Sequence, residues 1–310
     1  MDIRQARAAF DKEGKIYDSA LLTFVGVDGY DVYNCSIPFA MNGREDIFGR
    51  VETRREWATS WVRLFEKTGK DTYTLVPDSM IYQLEDPYIQ FIGDQLTMGG
   101  THVMKESGKV KSFYGYFYRG AELEHMRYFT TGPDKMKDIR LVSLKDGRIG
   151  VFSRPRGKKV EETYGSGAVI GFAVIDSLDD LTADLIENAP AIGNLFGRGD
   201  CNQCYLLKDG RIGVIGHKCY AEKDADGVEQ AVYLNVAFLF DPETHQATEP
   251  QVIATRRSYP DAAAKLPNLK DCAFTSGIVL REDGKADLYS GVGDTHEGRV
   301  TIDNPFGDLL

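Results

Sequence analysis

Short apolar segments alternate with turn residues along the whole chain, and one arrangement of them recurs. Each copy consists of an apolar run, a turn usually built on Asp-Gly, and a second apolar run. Because Asp-Gly accommodates the positive φ angles of tight hairpin turns, each copy predicts a β-hairpin. The copies lie at Leu141–Phe152, Cys204–Ile215, Ile278–Tyr289, Ile89–Met98 and Leu22–Tyr33.

The first two copies share the six residues Lys-Asp-Gly-Arg-Ile-Gly, at 145–150 and 208–213. Five copies along the chain leave about 62 residues per unit, which is room for a four-stranded blade and its loops. A β-sandwich would instead show evenly spaced strands without a repeated signature. The pattern therefore predicts an all-β fold, a five-bladed β-propeller in which residues 1–310 form a single domain.

Other segments fit between the hairpins. Further strands are predicted at Ile47–Arg54, Ser60–Phe65, Val110–Tyr118, Ala168–Ile175 and Ala231–Phe240. A helix is predicted over Ser177–Glu187, because Ser177 can cap it and leucines recur on one face. A further turn of helix is predicted at Asp261–Leu266. The propeller thus carries one or two short inserted helices.

Charge and cysteine content narrow the class of protein. The formal net charge is −10, with both signs interspersed, which argues against a nucleic-acid partner or an anionic membrane surface. The charged amino-terminal residues and the lack of a long apolar stretch predict a cytoplasmic protein. Five cysteines, an odd number at low density, predict free thiols.

A metal site is not predicted. Cys201 and Cys204 have Cys-x-x-Cys spacing, but no second such pair accompanies them. The five histidines also lack the His-x-x-x-His spacing of a zinc-binding helix. We therefore interpret both cysteines as small buried apolar residues.

Glu85 and Asp86 are the first candidates for chemistry, because they directly precede Pro87 and an apolar run. Proline disfavours helical geometry in the preceding residue, so Asp86 is expected to be extended. The two side chains should then point in opposite directions. Paired carboxylates at the mouth of a strand suit acid-catalysed sugar chemistry, although a solvated acidic turn is the commoner role for such a pair.

Comparable polar residues lie beside the other hairpins. Each one alone is more often part of a salt bridge at a hairpin end. Their recurrence around one axis favours a shared cleft at the mouth of the central channel. The candidates for substrate binding are Asn34, Arg50, Glu85, Tyr88, His102, Asp138, Arg154, Asp200, Asn202 and His217.

These motifs resemble those of five-bladed propeller glycosidases, and most closely the inverting mannoside phosphorylase and mannosidase family. Glu85-Asp86-Pro87 with the following Tyr88-Ile89 is similar to that family's Glu-Asp-Pro-Arg-aliphatic hallmark. The other similar segments, in matching order, are Arg50-Val51-Glu52, Lys137-Asp138, Arg154-Pro155, His217, and Tyr289 through Thr295. Two positions depart from the family pattern: Tyr88 replaces an arginine, and Ser153 replaces a frequent histidine.

The resemblance implies a hydrolase or phosphorylase that acts by inversion on a small oligosaccharide or glycoside. Asp86 would then protonate the leaving oxygen. A water nucleophile would need a base about 6.5–9.5 Å away, for which Asp294, Glu52 and Asp200 are candidates in that order. Phosphate as co-substrate would need no base, and no other cofactor is implied. The cations available to hold phosphate are Arg50, Arg154, Arg198, His217 and Lys218.

A non-catalytic carbohydrate-binding propeller is the alternative. Such a protein would keep the cleft and an aromatic floor, without a working acid and base. The departures at Tyr88 and Ser153 favour this alternative, since a fold alone does not establish activity. Examples of residues for this floor are Tyr33, Tyr82, Tyr88 and Tyr116.

Overall fold

A computed structural model describes residues 2–192 and 199–310. Its strands form five sheets that follow one another along the chain as the blades of a propeller. The all-β, five-bladed fold predicted from the repeats is confirmed.

The strands are numbered in chain order. The first, β1 (Asp18–Leu21), belongs to the last blade, and blade 1 contains β2 (Thr23–Val25), β3 (Asp31–Tyr33), β4 (Phe39–Met41), β5 (Arg44–Glu52), β6 (Trp61–Gly69) and β7 (Thr72–Leu75). Blade 2 contains β8 (Glu85–Ile92), β9 (Gln95–Glu106), β10 (Lys109–Gly120) and β11 (Arg127–Thr131). Blade 3 contains β12 (Arg140–Ser143), β13 (Ile149–Ser153) and β14 (Gly171–Ile175). Blade 4 contains β15 (Gly199–Leu206), β16 (Ile212–Lys223), β17 (Glu229–Asp241), β18 (Gln246–Ala247) and β19 (Gln251–Ala254). Blade 5 contains β20 (Ala273–Leu280), β21 (Lys285–Val292) and β22 (His296–Asp303), and β1 completes it.

The ring closes through the pairing of β1 with β22. The two strands are antiparallel, with Asp18 opposite Thr301 and Leu21 opposite Gly298. Blade 5 is thus assembled from both ends of the described chain, which removes two free sheet edges.

The Asp-Gly turns have the geometry that their sequence predicts. The three glycines have φ angles of 88°, 92° and 78°, at Gly147, Gly210 and Gly284. Each preceding aspartate accepts a hydrogen bond from the backbone N–H two residues on, over 3.0–3.1 Å. Local side-chain bonds of this kind stabilise tight turns. Four of the five predicted hairpins are present: these three, and Ile89–Met98, where β8 pairs with β9.

The fifth predicted hairpin, Leu22–Tyr33, is wrong. Its two strands do not pair with each other: β2 pairs in parallel with β7, and β3 pairs with β5. The hairpin of blade 1 is instead β4–β5, which turns at Asn42 and Gly43. Both residues have positive φ, 52° and 76°, as a two-residue hairpin turn requires.

Three α-helices are present in the described residues: α1 (Ile3–Glu13), α2 (Lys158–Tyr164) and α3 (Ala183–Glu187). Neither α1 nor α2 was predicted from the sequence. The predicted helix Ser177–Glu187 is divided, because Thr182 caps α3 after a separate turn of 3₁₀ helix at Leu178–Asp180. The predicted helical turn at Asp261–Leu266 is wrong. That segment is a loop whose Lys265 N–H donates to Gly293 O.

Apolar faces of neighbouring blades pack against each other. Between blades 3 and 4, for example, the rings of Phe152, Phe172 and Phe240 lie with centroids 4.7–5.3 Å apart. Such packing supplies hydrophobic and aromatic stabilisation. In residues 2–192 and 199–310, no helix is both long and apolar enough to cross a bilayer.

Candidate active site

Arg50 lies buried at the junction of blades 1 and 2 and organises the carboxylates there. Its Nη1 donates to Asp86 Oδ1 over 2.8 Å, and its Nη2 donates to Glu85 Oε1 over 2.9 Å. Its Nε donates to Ser60 Oγ over 2.7 Å. One guanidinium therefore binds both residues of the Glu-Asp pair through charge-assisted hydrogen bonds.

The predicted geometry of Glu85 and Asp86 is wrong in two respects. Asp86 has φ of 49° instead of an extended backbone, and both side chains reach Arg50 instead of pointing apart. The cause is an irregularity in the β8–β9 pairing between Glu85 and Tyr88. A β-bulge redirects side chains relative to regular alternation, and aspartate tolerates left-handed geometry better than most residues do.

Asp86 is held from several directions. Asn34 Nδ2 donates to the same Oδ1 that accepts from Arg50, over 2.9 Å. Lys137 Nζ lies 3.8 Å from the second oxygen, Oδ2. The carboxyl group is therefore fixed at one oxygen by two donors, while the other faces a cation.

Left-handed backbone recurs among the candidate residues of four blades. The φ angles are 46°, 49°, 62° and 56° for Asn34, Asp86, Asp138 and Asp294. Non-glycine residues of this conformation are uncommon, and they cluster at active sites and ligand clamps. The coincidence supports a functional centre where these blades meet.

Several neighbouring residues donate hydrogen bonds to Glu52. It accepts hydrogen bonds from the Tyr33 hydroxyl (2.6 Å), the Thr59 N–H (2.7 Å) and the Ser60 hydroxyl (3.0 Å), and from the ammonium of Lys265. Burial acts to raise its pKa, but Arg50 and the hydrogen bonds outweigh burial, so the pKa is lowered. Glu52 is therefore an ionised anchor with little capacity to take a substrate proton.

Asp294 differs from Glu52 in its surroundings. It is partly exposed, and within residues 2–192 and 199–310 it forms no hydrogen bond or ion pair. Burial is the largest influence and raises its pKa; Arg50 opposes this effect, and the nearby Asp86 adds to it. Its turn is held by the Asp261–Leu266 loop, where Lys265 N–H donates to Gly293 O over 2.8 Å. This pre-positioned, unpaired carboxyl group is available to a substrate.

Blades 3 and 4 contribute a second cluster around Arg154. Its Nη1 lies 2.8 Å from Asp138 Oδ2 and 2.7 Å from Asp200 Oδ2. Burial acts to raise the pKa of Asp138, but Lys137 and Arg154 outweigh it and lower the pKa. Burial raises the pKa of Asp200 well above its usual range. The two carboxyl pKa values are therefore shifted in opposite directions, as is typical of paired groups in different environments.

His217 and Asn202 complete this cluster. His217 Nδ1 lies 2.8 Å from Asn202 Oδ1, and burial lowers the pKa of the imidazole to about 3. The ring is therefore neutral at physiological pH. Arg140 Nε donates to the Asn202 carbonyl over 2.6 Å. Within the described chain, Asn202 Nδ2 and Arg154 Nε are buried without a hydrogen-bond partner.

Several candidates lie away from these clusters. Tyr88 is buried in the core between blades 2 and 3, with the Arg140 guanidinium 4.4 Å above its ring. His102 stacks on Tyr116 at 4.5 Å, and its Nδ1 lies 3.0 Å from Gln83 O. Lys218 lines a groove beside α1. Arg198 lies outside the described residues. Of the proposed aromatic floor, Tyr33 adjoins Arg50, whereas Tyr82 is a core residue.

Lys265 is the functional candidate that sequence reasoning missed. It comes from a loop between blades 4 and 5, and its ammonium reaches Glu52 and the Tyr33 hydroxyl in blade 1. No motif marks it, because its partners are more than two hundred positions away along the chain. The five cysteines are free thiols, and the described part of the chain holds no cluster of three metal-ligating residues.

Comparisons with known proteins connect this site to a family. A family model described as "Protein of unknown function (DUF1861)" matches residues 8–308, and no curated protein sequence matches. The chain is 50% identical to MPT-4, a mannose phosphorylase from Leishmania mexicana in complex with phosphate ion; the match covers 99% of this chain and 96% of that one, with a TM-score of 0.93.

Two further structures extend the comparison. MPT-1, a GDP-Man-dependent mannosyltransferase from Leishmania mexicana, is 46% identical over 100% of this chain and 98% of its own, with a TM-score of 0.92. A β-1,2-mannobiose phosphorylase from Listeria innocua is 14% identical over 89% and 91%, with a TM-score of 0.62, and shares the fold. The resemblance drawn from the motifs is confirmed. The chain belongs to the DUF1861 family of five-bladed propellers.

Proposed function

We propose that the chain is a glycoside phosphorylase that cleaves a mannoside with inorganic phosphate. The observation that carries the proposal is the division of the centre into two halves. Blade 2 presents the carboxylates Asp86 and Glu85, which Arg50 of blade 1 binds, and blade 5 presents Asp294. Blades 3 and 4 present buried donors at Arg154 and Asn202. The 50% identity to a mannose phosphorylase that binds phosphate supports the same reading.

In this reaction Asp86 gives its proton to the glycosidic oxygen as the bond from C1 to that oxygen breaks. A phosphate oxygen forms the new bond to C1 from the opposite face, so the configuration inverts and no general base is needed. The products are a glycosyl phosphate and a free sugar. Arg50 and Asn34 already contact Asp86 Oδ1, so they would stabilise the carboxylate that remains.

The phosphate would lie at the blade 3–4 cluster. Arg154 Nε and Asn202 Nδ2 are donors without partners in the described chain, and Lys137 adds a positive charge between the two halves. Neutral His217, with Nδ1 facing Asn202 Oδ1, leaves its other nitrogen able to accept from a protonated phosphate oxygen. Asp138 and Asp200 would position Arg154, whereas Glu52 would position Arg50 and Lys265.

Two other activities are distinguishable alternatives. The 46% identity to a GDP-Man-dependent mannosyltransferase supports transfer from a nucleotide sugar. If water attacks instead of phosphate, Asp294 is the base that we propose, because its carboxyl group is unpaired. The free thiols are compatible with the reducing cytoplasm.

The test measures products from manno-oligosaccharides with and without phosphate, and from mannose 1-phosphate or GDP-mannose with mannose as acceptor. We expect phosphate-dependent release of mannose 1-phosphate, and loss of about 10²–10⁴-fold in Asp86→Asn. Asp46→Asn is the matched control, because Asp46 is a buried carboxylate of blade 1 that pairs with Arg44 outside the centre. Turnover with GDP-mannose alone, phosphate-independent hydrolysis, or binding without turnover would refute the proposal.

A further inference from the structure

A second pocket lies on blade 1, outside the clusters described above. Its volume is about 360 Å³, within the size range of small-ligand sites. The residues that shape it are Tyr30, Val51, Trp61, Arg63, Leu75 and Ile81. The pocket is therefore concave and built from strands β5, β6 and β7 with a neighbouring loop.

Several large apolar side chains of its lining are exposed to solvent. Trp61 is 43% exposed, Tyr30 51% and Ile81 56%. Grouped exposed apolar surface of this kind marks a binding site more often than scattered single residues do. Aromatic rings provide flat apolar surface at low cost in conformational entropy.

Polar groups accompany the rings. Arg63 Nη2 donates to Pro77 O over 3.2 Å, while its Nε is buried and has no hydrogen-bond partner within the described chain. The acidic residue Asp28 also lines the pocket. Flat apolar surface with one donor and one acceptor at its edge matches a sugar ring, whose C–H faces are apolar and whose hydroxyls lie around the rim.

The pocket shares a strand with the candidate active site. Val51, which lines the pocket, lies between Arg50 and Glu52 on β5. Because side chains alternate along a strand, the pocket opens on the opposite face of blade 1 from Arg50 and Glu52. One strand thus separates the two sites.

We infer that this pocket binds a sugar unit of an oligosaccharide, away from the bond that is cleaved. The inference rests on the proposed function and deepens it, since it makes an oligosaccharide longer than a disaccharide the preferred substrate. A nucleoside diphosphate is a poorer match, because the lining holds one cation, Arg63, together with the acidic residue Asp28.

The chain supplies its own reporter, because it contains only two tryptophans, Trp57 and Trp61. In Trp57→Phe, the remaining indole lies in the pocket. Titration with mannose, with linear manno-oligosaccharides of two to six units, and with GDP should change the fluorescence of Trp61 only with the longer sugars. This signal needs no turnover, so it distinguishes failure of the pocket from failure of the proposed activity.

The second measurement is affinity by calorimetry in an Asp86→Asn background. Adding Trp61→Ala should weaken binding of the longest sugar about tenfold, leave the disaccharide unchanged, and be largely reversed in Trp61→Phe. Trp57→Ala is the matched control, because Trp57 is 62% exposed but does not line the pocket. Equal affinity of Trp61→Ala for all lengths, or a fluorescence response to GDP and not to sugars, would overturn the inference.

Discussion

Replacing Lys265 with methionine should destabilise the protein strongly, because it removes a buried charge that neutralises Glu52. The Lys265 side chain is 4% exposed and that of Glu52 is fully buried. Breaking a buried ion pair costs about 3–5 kcal/mol. Glu52 would keep Arg50 at 3.5 Å and three neutral donors, so we expect the lower end, about 3 kcal/mol. At about 2 °C per kcal/mol for a chain of this size, the melting temperature should fall by about 6 °C.

The stability loss caused by Lys265→Met should also depend on pH, and it should be larger at neutral pH than at acid pH. The folded-state pKa of Glu52 is lowered. The ionic contacts of Glu52 therefore stabilise the fold fully above its unfolded-state pKa, near 4.5, and this stabilisation is lost as the pH falls through its folded-state pKa. The free energy of unfolding, measured by urea denaturation, should therefore differ most between wild type and Lys265→Met at neutral pH.

Two comparisons make the test specific. The double variant with Glu52→Gln should recover part of the loss, giving a coupling free energy of about 1 kcal/mol or more. Lys70→Met, which removes an exposed lysine 3.5 Å from Asp18, should cost less than about 1 kcal/mol. A Lys265→Met protein as stable as the Lys70→Met control, or a loss that is equal at acid and neutral pH, would refute the reasoning.

Three further predictions concern single residues. Asp294→Asn should flatten the acid limb of the pH profile of kcat/KM, because the unpaired carboxylate would accept a hydrogen bond from a sugar hydroxyl and burial raises its pKa; an unaltered limb would show that another group titrates. Arg154→Lys should raise KM for phosphate about tenfold while leaving KM for the sugar unchanged, since lysine keeps the charge but lacks Nε; equal changes in both constants would contradict a phosphate site there. Burial raises the pKa of Glu297 to about 8, so wild type should lose stability relative to Glu297→Gln as pH rises from about 4.5 to about 8, by at most about 1.4 kcal/mol per pH unit; parallel stability curves from urea denaturation would contradict this.

The repeat predicted the architecture well because its signal is local. An Asp-Gly pair needs only its neighbours to form a hairpin turn, and Gly147, Gly210 and Gly284 all adopt the expected conformation. Leu22–Tyr33 failed for the opposite reason. Its turn residues resemble those of the other copies, but the pairing of β2 with β7 depends on a strand far along the chain.

Candidate residues could be named from the sequence, but their geometry could not. Asp86 and Arg50 were recognised as candidates, and the structure joins them. A bulge in β8 changed the direction of Asp86, and a bulge depends on the partner strand as well as on the local sequence. Lys265 could not be found, since a lone lysine in a loop carries no motif and only the closed ring brings it to Glu52.

The pairing of β1 with β22 also has a consequence for synthesis on the ribosome. Asp18 leaves the exit tunnel long before its partner Thr301, roughly 280 positions later; at about 5–20 residues per second, the delay is roughly 15–60 s. During that time the first four blades can form, but β1 remains an unpaired strand. Nascent chains should therefore depend on chaperones that protect this segment until β22 has been synthesised.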